Sequence, residues 1–326
     1  MDFTQIIGHE KSIEILKKEI RNKTVSHSYI FEGEEGLGKK KVALAFAKTL
    51  LCKEQKLDPC NKCVSCMKFD SENHSDLFII EAEKGLIKKG KIDELIKKIS
   101  TAPFESPRKV FIINDCHLMN KEGMNALLKT LEEPPEYINI ILITSNPNQM
   151  LPTILSRCQS IKFNPVEANK IIDMLVDYYG KDKEEAEFIS NFTKGSVGKS
   201  IEISQSDDFF NKRDEIITII DDLLKGDRTK VFSSFSFFNE NKDKIHEILD
   251  MLLLYFRDLM IYKKIGNNPI IINKDKIEYL SSQSSIDSEK INDIIDNIQK
   301  TKELIKGNVN FQLSIETMLL SIQEEN

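Results

Sequence analysis

The stretch 28-SYIFEGEEGLGKKKVALAFAKTLLC-52 decides how the N-terminal half is read. Its opening, 28-SYIFEG-33, is short, aromatic and β-branched, which predicts a strand. Its close, 39-KKKVALAFAKTLLC-52, is rich in alanine and leucine, which predicts a helix. Between them Gly33, Gly38 and Lys39 satisfy G-x-x-x-x-G-K. Strand, glycine loop and helix in that order are the context a phosphate-binding loop needs. The backbone N–H groups of Gly36 to Lys39 would face phosphate oxygens at the helix N-terminus, and Lys39 would reach the β and γ phosphates. The pattern then asks for Ser or Thr, whose hydroxyl binds Mg²⁺. Lys40 stands there instead, so a metal ligand is missing and a positive charge is expected where the metal would sit. A glycine turn with no ligand is the plainer alternative, and the loop alone leaves both readings open.

Working outward, 77-LFIIEAE-83, 109-KVFIIND-115 and 138-INIILITSN-146 read as further apolar strands. They alternate with helices over 10–24, 91–101 and 120–135, the last stopped by Pro134 and Pro135. This alternation predicts a three-layer α/β domain with a nucleotide site at the carboxyl edge of a parallel sheet. The strand 109–115 ends in Asp115, as in a Walker B strand, where Asp supports Mg²⁺ and a following Glu orients the attacking water. Here Cys116 follows, and a thiol cannot act as that base. Gly33, Gly36, Gly38, Lys39, Lys40 and Asp115 therefore form a degenerate nucleotide site, with ATP or ADP on this chain an open question.

Four of the six cysteines form Cys52-x7-Cys60-x2-Cys63-x2-Cys66. That spacing suits a structural Zn²⁺ with four sulfur ligands, and Pro59 and Asn61 suit the turns between them. Cys116 and Cys158 lie elsewhere. Arg157, in 152-PTILSRCQSIKF-163, is expected just past a sheet strand at an exposed end of the domain. It reads either as an ordinary salt-bridging arginine or as an arginine finger that reaches a neighbour's γ-phosphate. His9, His27, His74, His117 and His246 are scattered and are given no catalytic role.

After 163-FNPVE-167 the pattern becomes helical, apart from a short strand-like 269-PIII-272. Glycine breaks are expected at Gly180, Gly195 and Gly198. The expected domains are 1–165, with the cysteine module at about 52–66, then a small helical domain over 166–205 and a helical domain over 206–326. The 326 residues carry a net charge of −6, which argues against a wholly basic nucleic-acid surface while leaving a local basic patch open. The polar N-terminus shows no signal peptide. The apolar run 248–262 is too short for a bilayer and holds Asp250, Arg257 and Asp258, so a buried helix and a soluble, cytoplasmic protein are expected.

Together, 33-GEEGLGKK-40, the cysteine set, 125-NALLKTLEEPP-135 and 151-LPTILSRC-158 resemble the clamp-loader family of AAA+ proteins. The resemblance covers residues 1 to about 205, and the rest fits only by its helical pattern. It implies a P-loop α/β AAA+ domain with an inserted zinc module, a small helical lid domain and an all-α collar domain. It also implies partners: tau/gamma motor subunits and a delta subunit in a hetero-oligomeric ring, a sliding clamp, and primed DNA met through that complex during replication. The ring is a component of the DNA-directed DNA polymerase III holoenzyme, and no membrane is involved. The family's motor subunits carry Ser or Thr after the loop lysine, an Asp-Glu Walker B pair and a nucleotide-sensing arginine in the second domain. This chain has Lys40, Cys116 and Gly198 at those places. The resemblance therefore implies no independent ATPase activity, while the retained Arg157 would act in trans on a neighbour's ATP. Two alternatives stay open here: a catalytically active tau/gamma-like ATPase, and a zinc-stabilised nucleotide-binding module outside replication.

Overall fold

In the computed structural model, residues 2–226, 228–307 and 309–323 are described. Five strands, β1 (Ser28–Glu32), β2 (Leu77–Ile80), β3 (Lys109–Ile113), β4 (Ile138–Thr144) and β5 (Gln159–Lys162), form one parallel sheet in the order β2-β3-β4-β1-β5. The helices around it are α1 (Glu10–Asn22), α2 (Lys39–Leu51), α3 (Val64–Asp70), α4 (Lys89–Ile99), α5 (Lys121–Glu132) and α6 (Pro152–Leu155). Because side chains alternate along a strand, Tyr29 and Phe31 face a core built with Leu16 of α1 and Val42 and Phe46 of α2. Ile30 faces the opposite core, with Ile92 and Leu95 of α4 and Leu127 and Leu131 of α5. β3 and β4 are buried along their whole lengths, which is why both read as unbroken apolar runs. The α/β fold class expected from the sequence is the one found.

Strand β5 and helix α3 were not anticipated. β5 reads QSIK, with Ile161 alone buried, a pattern too short and polar to stand out. It is recruited as an edge strand by β1, where Tyr29 pairs with Gln159. Conversely, 269-PIII-272 is not a strand. It is a turn in which Ile271 is buried and the N–H groups of Ile272 and Asn273 donate to the buried Asp258. Its proline also lacks the N–H a ladder needs.

Helices α7 (Ala168–Tyr179), α8 (Lys183–Thr193) and α9 (Val197–Ser204) follow the sheet. Gly180 and Gly195 lie just beyond the ends of α7 and α8, with φ of 64° and 87°. Gly198 is not a break, because it lies inside α9. The chain divides into two compact units, Met1–Tyr178 with Thr193–Ile201, and Tyr179–Phe192 with Glu202–Asn326. In the second unit, α10 (Phe209–Leu224) and α11 (Arg228–Glu240) precede α12 (Ile245–Ile265) and α13 (Ile277–Ser282). Then come α14 (Ser288–Lys306) and α15 (Phe311–Gln323). The apolar run 248–262 lies within α12, which packs on α10 and α14 and buries Leu252, Tyr255, Phe256 and Leu259. Among the described residues, no helix is long and apolar enough to cross a membrane.

His74 anchors the segment between α3 and β2. Its Nδ1 accepts from the Asp76 N–H at 3.1 Å, so Nε2 carries the proton toward Ser65 Oγ at 2.8 Å and Ser106 Oγ at 3.1 Å. Burial lowers its pKa below the usual 6.5, with Glu105 and Asp76 opposing. The unfolded chain takes up this proton first, so the stabilisation is complete above pH 6.5 and falls away as pH drops below it. We therefore expect the melting temperature to fall between pH 7.5 and pH 5.5 more steeply for the native chain than for His74→Gln. Equal slopes in calorimetry would remove His74 from the acid sensitivity.

A self-bonded phosphate loop, a four-cysteine module and an arginine at the opposite edge

The glycine loop joins the carboxyl end of β1 to α2, as the motif requires. Lys39 opens α2 and is only 6% exposed. Its ammonium donates to the carbonyls of Gly33 at 2.5 Å and Glu34 at 2.6 Å. Burial lowers its pKa, against the pull of Asp115, Glu35 and Glu34. The next three carbonyls are also engaged. Ser196 Oγ donates to Glu35 O at 3.4 Å, the Gly198 N–H donates to Gly36 O at 2.7 Å, and His9 Nε2 donates to Leu37 O at 2.6 Å. Five consecutive loop carbonyls thus accept hydrogen bonds from this chain's own residues. A Cβ on Gly198 would lie 2.9 Å from Gly36 O, so only glycine allows α9 this close.

Lys40 follows Lys39 in the first turn of α2. It forms a 2.5 Å ion pair with Glu81, just beyond β2, and both side chains are about half exposed. The positive charge expected at the metal position is therefore drawn off to the sheet edge, although the hydroxyl remains missing. Asp115 occupies the left-handed region (φ 49°, ψ 47°) and accepts from Asn114 Nδ2 at 2.8 Å. Cys116 is fully buried, with Sγ 3.6 Å from Met150 Sδ. Burial, together with Cys158 and Asp115, raises its pKa far above that of an ordinary thiol, so it holds its proton and cannot act as a base.

Cys52, at the C-cap of α2, and Cys60, Cys63 and Cys66 bring their sulfurs within 4.8 Å of one another. The Cys60–Cys66 separation is 3.9 Å, against about 3.8 Å for the edge of a tetrahedron with metal–sulfur bonds of about 2.3 Å. The N–H groups of Cys60, Cys63 and Cys66 point at the sulfurs of Cys52, Cys60 and Cys63, at 3.4, 3.3 and 3.4 Å. Asn61 supplies the left-handed turn between Cys60 and Cys63, with φ of 56°. Burial opposes ionisation of Cys63, yet the N–H groups of Cys66 and Lys53 and the neighbouring thiols bring it down to about 6. Four thiolates this close repel one another unless a cation lies among them, so the donor set fits a tetrahedral metal ion.

Arg157 does not follow a strand. It sits between α6 and β5, and its carbonyl accepts from Ser28 Oγ at 2.8 Å, at the amino end of β1. Its guanidinium donates to Thr153 O at 2.9 Å and forms a 2.5 Å ion pair with Glu132 at the end of α5. Gly33 lies at the other end of β1, about 16 Å away at the usual rise per residue. The structure thus groups Gly33, Gly36, Gly38, Lys39 and Asp115 around the loop, and separates Arg157 from them. Sequence reading missed His9, Ser196 and Glu132. The G-x-x-x-x-G-K pattern carries no information about partners so far along the chain.

The sequence profile of the family described as "DNA polymerase III, delta subunit" matches residues 8–167. That described as "DNA polymerase III, delta subunit, C terminal" matches residues 207–324. The DNA polymerase III subunit delta' of Bacillus subtilis (strain 168) is 32% identical over 321 residues, covering 96% of this chain and 95% of that protein. The chain belongs to the DNA polymerase III delta' subunit family. Delta' is not its sole relative: the tau subunit of the same organism is 29% identical over 347 residues, and the alignment spans 98% of this chain but 61% of tau. A crystal structure of a DNA polymerase III gamma subunit-related protein from Thermotoga maritima aligns over 96% of this chain and 98% of that one, with 19% identity and a TM-score of 0.45.

Gly198 offers a direct probe of the closed loop. Gly198→Ala would force α9 off Gly36, and we expect a loss of about 1–3 kcal/mol in urea unfolding, the usual cost of overpacking a tight contact. Unchanged stability would mean that the helix yields freely there.

Proposed function

We propose that this chain is a delta' subunit of the bacterial DNA polymerase III clamp loader that assists the loading of a sliding clamp onto primed DNA without hydrolysing ATP itself. One observation carries this reading: Arg157 lies at the opposite end of β1 from the glycine loop. An arginine so far from its own loop can serve a nucleotide only on a neighbouring subunit. In that role its guanidinium would add positive charge at the γ-phosphate of a tau/gamma motor subunit, where charge accumulates in the transition state. Its guanidinium donates to Thr153 O, one turn back, which supports a fixed orientation. The loop site lacks a metal-binding hydroxyl at Lys40 and a base at Cys116, which supports an absence of hydrolysis on this chain and weighs against a tau/gamma-like ATPase.

The domain assignment belongs to the same proposal. Residues 1–165 form the AAA+ domain, 166–205 the lid and 206–326 a collar that joins tau/gamma and delta subunits in a ring in the cytoplasm. Cys52, Cys60, Cys63 and Cys66 would hold one zinc ion. That ion would supply a structural cross-link between the end of α2 and the loop before α3, since all four ligand positions are filled by protein.

Arg157→Ala is expected to leave folding intact and to lower the DNA- and clamp-stimulated ATPase of the reconstituted complex by about tenfold or more. An unchanged rate would refute the finger. The purified chain alone is expected to hydrolyse no ATP, and turnover at motor-subunit rates would favour the active-ATPase reading. Elemental analysis should find about one zinc per chain, as four sulfur ligands at a closed site imply.

A further inference from the structure

Lys48 lies on α2 and is 1% exposed, among the most deeply buried charged side chains described. Its ammonium donates to Asn61 Oδ1 at 2.6 Å and to both carboxylate oxygens of Asp70 at 2.8 Å. Both partners belong to the cysteine module. Asn61 forms the left-handed turn between Cys60 and Cys63, and its backbone N–H bears on the Cys66 sulfur. Asp70 ends α3, the helix that Cys63 caps and that contains Cys66. Asp70 is 44% exposed, so water already solvates its charge and it does not require a buried lysine. The lysine, by contrast, has given up nearly all its hydration, which is costly unless negative charge surrounds it.

Asp70 supplies that charge, and Asn61 Oδ1 takes up a further N–H of the ammonium, so Lys48 ties the turn between Cys60 and Cys63 to the end of α3. Other lysines of the module bond elsewhere. Lys56 and Lys62 are more than two-thirds exposed and both lean on Glu54, and Lys68 pairs with Glu105. We propose that Lys48 is a positioning residue of the four-cysteine metal site. From inside α2 it holds, through Asn61, the turn that sets Cys60 and Cys63 against Cys66. This rests on the metal reading of Cys52, Cys60, Cys63 and Cys66, and it gives the module a connection to α2 beyond Cys52 itself.

The test is zinc affinity of the purified full chain, by competition with a chromophoric chelator. Lys48→Met is expected to weaken binding about 10–100-fold, the range for loss of an outer-shell partner. A Lys48→Met chain that holds zinc as tightly as the unaltered chain overturns the proposal. Asn61→Gly suits the positive φ and removes only the side-chain link, so it should weaken binding by a smaller factor. If Lys48→Met fails to fold, unaltered affinity in Asn61→Gly overturns the proposal instead. Asp70→Asn leaves the Lys48–Asn61 bond in place and should keep the zinc. A loss there as large as in Lys48→Met would assign the effect to packing of α3 and overturn the positioning role through Asn61. Failure of the metal reading is distinct, because it appears as an absence of zinc from the unaltered chain.

Discussion

Lys39 is buried at the start of α2, and its ammonium finds its partners in the glycine loop that precedes it. The hydrogen bonds to Gly33 O and Glu34 O hold the loop in its curved path. Gly198, Ser196 and His9 satisfy the three carbonyls that follow. The loop therefore keeps its shape on internal bonds alone. The surrounding fold needs that shape, because the loop connects β1, which contributes to both cores of the domain, to α2, which fills one of them.

Helix α2 is the element on which separate functions meet. Its first residue is the loop lysine, its buried face fills the core with Val42, Ala45 and Phe46, Lys48 reaches into the cysteine module, and Cys52 caps its end. About 1.5 Å of rise per residue spaces these roles along some 20 Å. A tetrahedral metal at one end and a self-bonded loop at the other would both restrict the helix.

Much of this was legible in the sequence. The strands β3 and β4 are continuous apolar runs because both faces are covered, and such runs announce themselves. The cysteine spacing was readable because all four thiols fall within one short segment. Other features were hidden for physical reasons. β5 has a single buried apolar residue and exists only because β1 offers a free edge. Gly198 was read as a helix break, since glycine is a poor helix former, but it lies inside α9 because no larger residue fits against Gly36. Lys40 was read as occupying the metal position, since sequence cannot show that Glu81 lies close enough to capture it.

The sequence by itself determined the local chemistry. It specified a phosphate loop without its hydroxyl, a Walker B aspartate without its base, four thiols in a short segment and an arginine in Ser-Arg-Cys. Each is set by neighbouring residues, whose side chains and backbone geometry are fixed within a few steps of the chain. Only the tertiary structure decided what those groups face. It brought α9 onto Gly36, set Glu132 against Arg157 and placed Arg157 at the opposite end of β1 from the loop. These relations depend on the order of strands in the sheet and on burial on its two faces, which no local window of sequence contains.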